Sequence, residues 1–221
     1  MEKMFEIPVR PVRIAFDHWN LHKRYEEAVR TAVRHGHTSL SNYVLYNFED
    51  EPLELYWRLK LNVDLCEELG ISIYSFPMKY HPIEDPDYFS NRDYIGKKWT
   101  RKYIRTIQAV LNSTKGKVGK GKEFFEKAFG KNDEEFKKLL LMPEAMIIYR
   151  FYFEECGLTE EWWEHYSALT DTQKNIVNPI ICSNVFDNYE ETVTDEDCLK
   201  VLSYYRIRRE DAENAIKGKS C

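Results

Sequence analysis

NYVLYNFEDEPLELYWRLKLNVDLCEELGISIYSFPMKY, residues 42–80, changes hydrophobic period twice within one short stretch. Its first residues carry a short aromatic and aliphatic run, Tyr43–Tyr46, which predicts a strand over about 41–48. A polar turn follows, and Pro52 stands where a helix can begin without needing its missing N–H. Leu55, Leu59, Val63 and Cys66 then recur at helical spacing, widened by Leu61, Leu65 and Leu69. Gly70 ends that helix, and a second strand is expected over about 71–77. Strand, helix, strand is one βαβ unit, whose ligands bind at the C-terminal ends of its strands. Asn47, Glu49, Asp50, Lys79 and Tyr80 occupy those ends.

Working back toward the N-terminus, Val12–Asp17 is strand-like and follows Pro8 and Pro11, which block earlier pairing. A helix over 25–35, stopped by Gly36, connects it to the next strand. The order βαβαβ predicts parallel strands joined by right-handed crossovers. The expected fold class is α/β: a parallel half-barrel or small open sheet with an exposed N-terminal edge, followed by an α-helical C-terminal region. Three regions follow from this reading: a barrel segment over 1–83, an irregular loop over 84–98, and a helical extension over 99–221. Helices are expected at about 99–112, 122–129, 132–141, 143–156, 159–169, 172–182, 195–203 and 206–217. Asn132, Thr159 and Thr194, each followed by acids, read as their N-terminal caps.

With 221 residues, 43% of them hydrophobic, the chain has ample material for a core and does not read as disordered. Apolar runs are too short to span a bilayer, and the first residues lack the apolar segment of a secretory signal. A cytoplasmic location and no membrane partner are therefore expected. The net charge of −5 argues against a general nucleic-acid binder. Cysteines stand at 66, 156, 182, 198 and 221, without a C-x-x-C or C-x-x-x-C spacing, so reduced and mostly buried thiols are expected.

From Asn42 to Ile83 the sequence resembles the C-terminal half of a radical S-adenosylmethionine (radical SAM) enzyme. The likeness covers about residues 10–83. YVLYNFEDEPLE sits where that superfamily's fifth barrel strand ends, SIYSFPMKYHPI where its sixth strand exits, and Val12–Asp17 where its fourth would fall. The resemblance implies a partial (β/α) barrel that holds S-adenosylmethionine, with Arg13, Asp17, Asn47, Phe76, Pro77, Met78 and Tyr80 facing the cofactor. The glycines of the fifth-strand turn are absent, and so is the cluster-binding C-x-x-x-C-x-x-C. A [4Fe–4S] cluster is therefore expected only through a missing N-terminal half, making this chain a truncated, split or internally initiated product, inert alone, acting on an unknown substrate. The alternative is a non-enzymatic α/β module binding a partner protein or a nucleotide.

Each candidate also has a structural role open to it. Arg13 and Asp17 can hold a ribose or carboxylate, or pair with each other at the strand end. Glu49 and Asp50 can cap the helix starting near Pro52. Phe76–Tyr80 can wall an adenine, or Pro77 can simply end a strand. His18 and His22 are four apart but straddle a strand–helix junction, and His35 and His37 suit a helix C-terminus better than a metal. Gly116–Lys122 matches G-x-x-x-x-G-K, yet Glu123 replaces the required Ser or Thr and no strand precedes it; a basic loop is expected. The bases and aromatics of Lys97–Arg105 suit an amphipathic helix with Trp99, Tyr103, Ile107 and Val110 inward, and nucleic-acid contact there is the minor reading. Trp162, Trp163 and Tyr166 read as core packing.

Overall fold

The computed structural model describes residues 11–84 and 93–219. Residues 85–92 of the expected loop, together with Pro8 and Cys221, lie outside the described residues. The chain forms two compact units: residues up to Trp99 with Thr114–Lys137, and Thr100–Ser113 with residues from Lys138 onward.

The first unit is α/β. Strand β1 (Val12–Arg13), a 3-10 turn (Trp19–Leu21), helix α1 (His22–Arg34), strand β2 (Ser39–Tyr46), helix α2 (Pro52–Leu69) and strand β3 (Ser72–Lys79) follow in order. The strands make a parallel sheet in the order β1-β2-β3. Strand β1 is shorter than the Val12–Asp17 run expected. After Ile14 N–H donates to Ser41 O at 3.1 Å, the chain leaves the ladder, and the carbonyls of Phe16 and Asp17 turn to the Arg58 guanidinium instead.

Helix α2 starts at Pro52, with Glu51 as N-cap and the Glu54 carboxylate accepting Glu51 N–H at 3.0 Å. It ends at Gly70, whose φ of 64° is the left-handed conformation that a residue lacking Cβ adopts without cost. Both helices pack on one sheet face. Val12, Leu40 and Ile73 of the strands meet Tyr25, Val29 and Ala32 of α1 and Leu65 and Cys66 of α2 in one core cluster. Polar groups are threaded through that layer: Asn42 Nδ2 donates to Tyr25 Oη at 2.9 Å, and Asn62 Nδ2 to Ser75 Oγ at 2.8 Å.

Helix α3 (Arg101–Ser113) belongs to the second unit, whereas α4 (Lys122–Phe129) and the start of α5 (Asp133–Leu141) belong to the first. The expected division gave all of 99–221 to the helical extension. Residues 114–137 fold with the sheet because Phe125 and Phe136 stack beside Tyr56 of α2, at 5.6 and 4.9 Å, while Tyr56 Oη donates to Gly130 O. Trp99 precedes α3 and is buried in the first unit rather than on that helix.

The second unit contains α3, the end of α5, and helices α6 (Glu144–Ile148), α7 (Arg150–Cys156), α8 (Leu158–Ala168), α9 (Asp171–Ser183), α10 (Glu196–Ser203) and α11 (Arg209–Lys219). Its core joins Tyr166, Leu169, Val177, Ile181, Cys198, Val201 and Leu202. Two expected caps shift. Helix α8 begins from Gly157, leaving Thr159 buried inside it, and α10 is capped by Asp195, which accepts Cys198 N–H at 2.9 Å, rather than by Thr194. Asn132 caps α5 as expected, accepting Glu135 N–H at 3.0 Å. No helix among the described residues is long and apolar enough to cross a membrane.

Candidate functional site: an open sheet face and its strand ends

Because side chains alternate along a strand, residues in register across the sheet share a face. Arg13 pairs with Ser41 and Ser41 with Tyr74; Tyr43 pairs with Phe76; Leu45 pairs with Met78. These residues lie on the face opposite α1 and α2. Tyr43 and Met78 are 47% and 49% exposed, so the face is open there, with Leu45, Tyr74 and Phe76 half-buried and Ser41 buried between its neighbours. That is unusual for parallel strands, which are normally helix-covered on both sides. Of the residues singled out from sequence, Arg13, Phe76 and Met78 meet on this face. Pro77 alternates to the helix-covered side, opposite Val44.

The remaining candidates gather at the C-terminal strand ends. Asn47 is fully buried, with a φ of 69° that lets the chain turn sharply out of β2. Its Oδ1 accepts Gly96 N–H at 2.9 Å, and its Nδ2 donates to Tyr94 O at 3.1 Å and Tyr80 O at 3.4 Å. The Asn47 amide therefore fastens the exit of β3 and the segment before Trp99 to the end of β2. Tyr80 N–H donates to Tyr46 O at 2.8 Å, and its ring packs against Phe48 at 4.3 Å. Asp17 is exposed beside β2, its Oδ1 accepting Leu45 N–H at 3.4 Å. Glu49 is exposed; Asp50 is buried and serves neither as helix cap nor as a free acid.

Asp50 instead joins a hub that sequence reading missed. Arg58, wholly buried on α2, donates from Nη1 to Leu45 O (2.7 Å), Asp17 O (2.9 Å) and Phe16 O (3.2 Å). Its Nη2 donates to Asp50 Oδ2 at 2.7 Å and its Nε to Glu54 O at 3.0 Å. Asp50 also accepts Phe48 N–H at 3.0 Å, and Trp99 Nε1 donates to its carbonyl at 2.9 Å. Burial lowers the Arg58 pKa, opposed by Asp50; burial raises that of Asp50, opposed by the Phe48 N–H and by Arg58. One guanidinium thus gathers the ends of β1 and β2 and the turn into α2. The signal was in the sequence: Arg58 falls in the phase of the buried stripe, beside Leu55 and Leu59, where an unpaired charge has no tolerable place.

A hollow of about 320 Å³ lies elsewhere, bounded by Trp19, Trp57, Lys60, Leu61 and Asp64. It contains none of the strand-end residues. Lys60 and Asp64 pair with each other at 2.6 Å.

The donor set of the open face and strand ends fits an adenosyl group bearing a carboxylate: apolar rings for a flat base, a guanidinium for the carboxylate, and Asp17 for hydroxyls. It does not fit an iron–sulfur cluster. Cys66, Cys156, Cys182 and Cys198 lie on four separate helices, and no group of three or more His, Cys, Asp or Glu among the described residues could hold a metal ion. Comparison with known protein families, with curated proteins and with solved structures finds no match to this chain.

Proposed function

We propose that this chain is the C-terminal section of a radical SAM-type barrel, supplying strand ends that face S-adenosylmethionine and a substrate. The one-sided sheet carries the reading. Both crossover helices cover one face, while on the other Arg13, Tyr43 and Met78 are exposed and Phe76 is half-buried. In a barrel the inner face has no helices and lines the cavity; in a free-standing parallel sheet both faces are covered. Strand neighbours that are also neighbours in sequence support the same arrangement. On this reading another segment, bearing C-x-x-x-C-x-x-C, supplies the cluster and the further strands that a barrel needs beyond these three.

Bound to a reduced cluster held by that other segment, S-adenosylmethionine would supply the radical chemistry, which is the cofactor's own. This chain's residues bind and orient. Arg13 offers its guanidinium to an anionic group of cofactor or substrate, Asp17 accepts from hydroxyls, and Phe76, Met78 and Tyr80 exclude water from one wall. Asn47 and Arg58 hold those strand ends in register from behind. A second reading, a non-enzymatic α/β module for a partner protein or nucleotide, draws on the Asn47 amide, whose contacts are all with backbone groups of its own chain.

The test begins with the coding sequence immediately upstream. A polypeptide there carrying the three-cysteine motif should co-purify with this chain. After anaerobic reconstitution with iron and sulfide, the complex should release 5′-deoxyadenosine from S-adenosylmethionine, and the chain alone should not. Absence of any such complex, together with no S-adenosylmethionine binding, leaves the module reading.

A further inference from the structure

The open face is flanked by cations on both sides. Arg13, Ser41 and Tyr74 form one row across the three strands. The basic, glycine-rich loop Gly116–Lys122 continues that row past β3. Val118 exchanges both backbone hydrogen bonds with Ser75, at 2.7 and 2.8 Å, hooking the loop to the strand edge. Gly119 lies against the Tyr74 ring, where a Cβ would sit 3.4 Å from two ring carbons. A helix, α3, precedes this loop and Glu123 follows it, so it is no phosphate loop of the strand–loop–helix kind; it is a side wall of the sheet face.

The charges at the two sides of the face are placed over rings. Lys117 Nζ stands 5.0 Å from the Tyr74 centroid, and Arg13 Cζ stands 5.8 Å from that of Tyr43. In the next row, Tyr43 and Phe76 present adjacent rings with centroids 5.9 Å apart. Among the described residues neither Arg13 nor Lys117 is paired with a carboxylate. Asp17, four residues after Arg13, lies beyond the end of β1, engaged with Leu45 N–H. A strip of aromatic rings between two unbalanced cations is complementary to a flat ring carrying a dianion; a monocarboxylate would balance only one of them.

We infer that this face takes a phosphorylated, ring-bearing small molecule of the nucleotide class, its ring on Tyr43 and Phe76 and its phosphate reached by Arg13 and Lys117. The inference rests on the barrel reading, which makes the face a wall of the substrate cavity. It gives the glycine-rich basic loop a role in recognition and names the substrate class that the strand ends leave open.

The test uses uridine 5′-monophosphate against uridine, with the intact chain, by equilibrium dialysis or chemical-shift titration. The monophosphate should bind at least about tenfold tighter than the nucleoside, the scale of one charge-assisted hydrogen bond. Arg13→Gln and Lys117→Gln should each remove most of that difference while leaving uridine affinity unchanged. Tyr43→Ser should weaken both ligands, and Lys23→Gln, on the exposed side of α1, should change neither. Equal binding of monophosphate and nucleoside overturns the inference. So does a loss with Lys23→Gln matching that with Arg13→Gln, which marks diffuse attraction only. Polyuridylate binding more than about a hundredfold tighter than the monophosphate replaces the small molecule with a single-stranded nucleic acid. Uridine monophosphate carries neither adenine nor sulfonium and needs no cluster. Failure here therefore leaves the deoxyadenosine assay standing, and failure of that assay leaves this binding difference measurable.

Discussion

Arg58 shows what a single side chain organises in this protein. Its removal would orphan the carbonyls of Phe16, Asp17 and Leu45 and leave the Asp50 carboxylate buried without a counter-charge. Arg58→Met should cost about 3–5 kcal/mol, the range for breaking a buried pair, read as a lower urea midpoint at unchanged slope. Adding Asp50→Leu should restore only part of that loss, because the carbonyls stay unpaired. Full restoration would show that the ion pair alone carries the effect. Lys102 makes a different case in the helical unit. It is fully buried, its ammonium donating to Met142 O and to Thr106 Oγ1, and burial lowers its pKa to about 7. An unfolded lysine titrates near 10.4, so between about pH 7 and 10 the unfolded chain binds the extra proton and stability rises with pH. Between pH 7 and 9 the stability of wild type should climb relative to Lys102→Met, by at most about 1.4 kcal/mol per pH unit. Parallel curves for the two proteins would refute the depressed pKa. Neither residue was found from sequence: periodicity marks which positions are buried, while the hydrogen bonds that make a buried charge tolerable come from distant segments.

At the scale of elements, local chemistry was legible wherever it decided the outcome locally. Helix α2 begins at Pro52 and stops at Gly70 as its caps foretell, and β2 and β3 fall within two residues of their expected bounds. Strand β1 was overextended because alternation continues to Asp17 although the pairing does not. Whether Phe16 O joins a ladder or a guanidinium depends on a helix more than forty residues later, Arg58 donating to it with a separation of 42. Two glycines separate the physical causes. Gly70 has φ +64° with open space where a Cβ would go, so Gly70→Ala should cost about 1 kcal/mol, the left-handed penalty alone. At Gly96 a Cβ would sit 2.6 Å from Phe48 O and 3.0 Å from Asn47 C. Gly96→Ala should therefore cost more than Gly70→Ala, about 2 kcal/mol or above, by displacing backbone that Asn47 holds. Thermal melts of the two variants check the order, and a Gly96→Ala cost at or below that of Gly70→Ala would mean the strand-end segment yields freely.

For the whole molecule, the open sheet face is the property with the widest reach. Tyr43→Ser with Met78→Ser should leave the melting temperature nearly unchanged, since half of each side chain is already in water, yet reduce binding of an apolar dye. A large loss of stability would mean that these residues are packed and the face is closed. The sequence foretold an α/β segment followed by helices but not how the chain is shared between the units, because helices α3 and α4 carry similar amphipathic patterns and only their partners assign them. That threading bears on the order of synthesis. Tyr56 emerges from the ribosome long before the phenylalanines at 125 and 136 that cover it, and helix α3, destined for the other unit, is made in between. The sheet unit cannot be finished as a nascent chain until about residue 137 has cleared the exit tunnel. Until then its aromatic underside is exposed to whatever chaperones attend the ribosome, and a stall anywhere between the end of β3 and α5 would release a sheet without its lid.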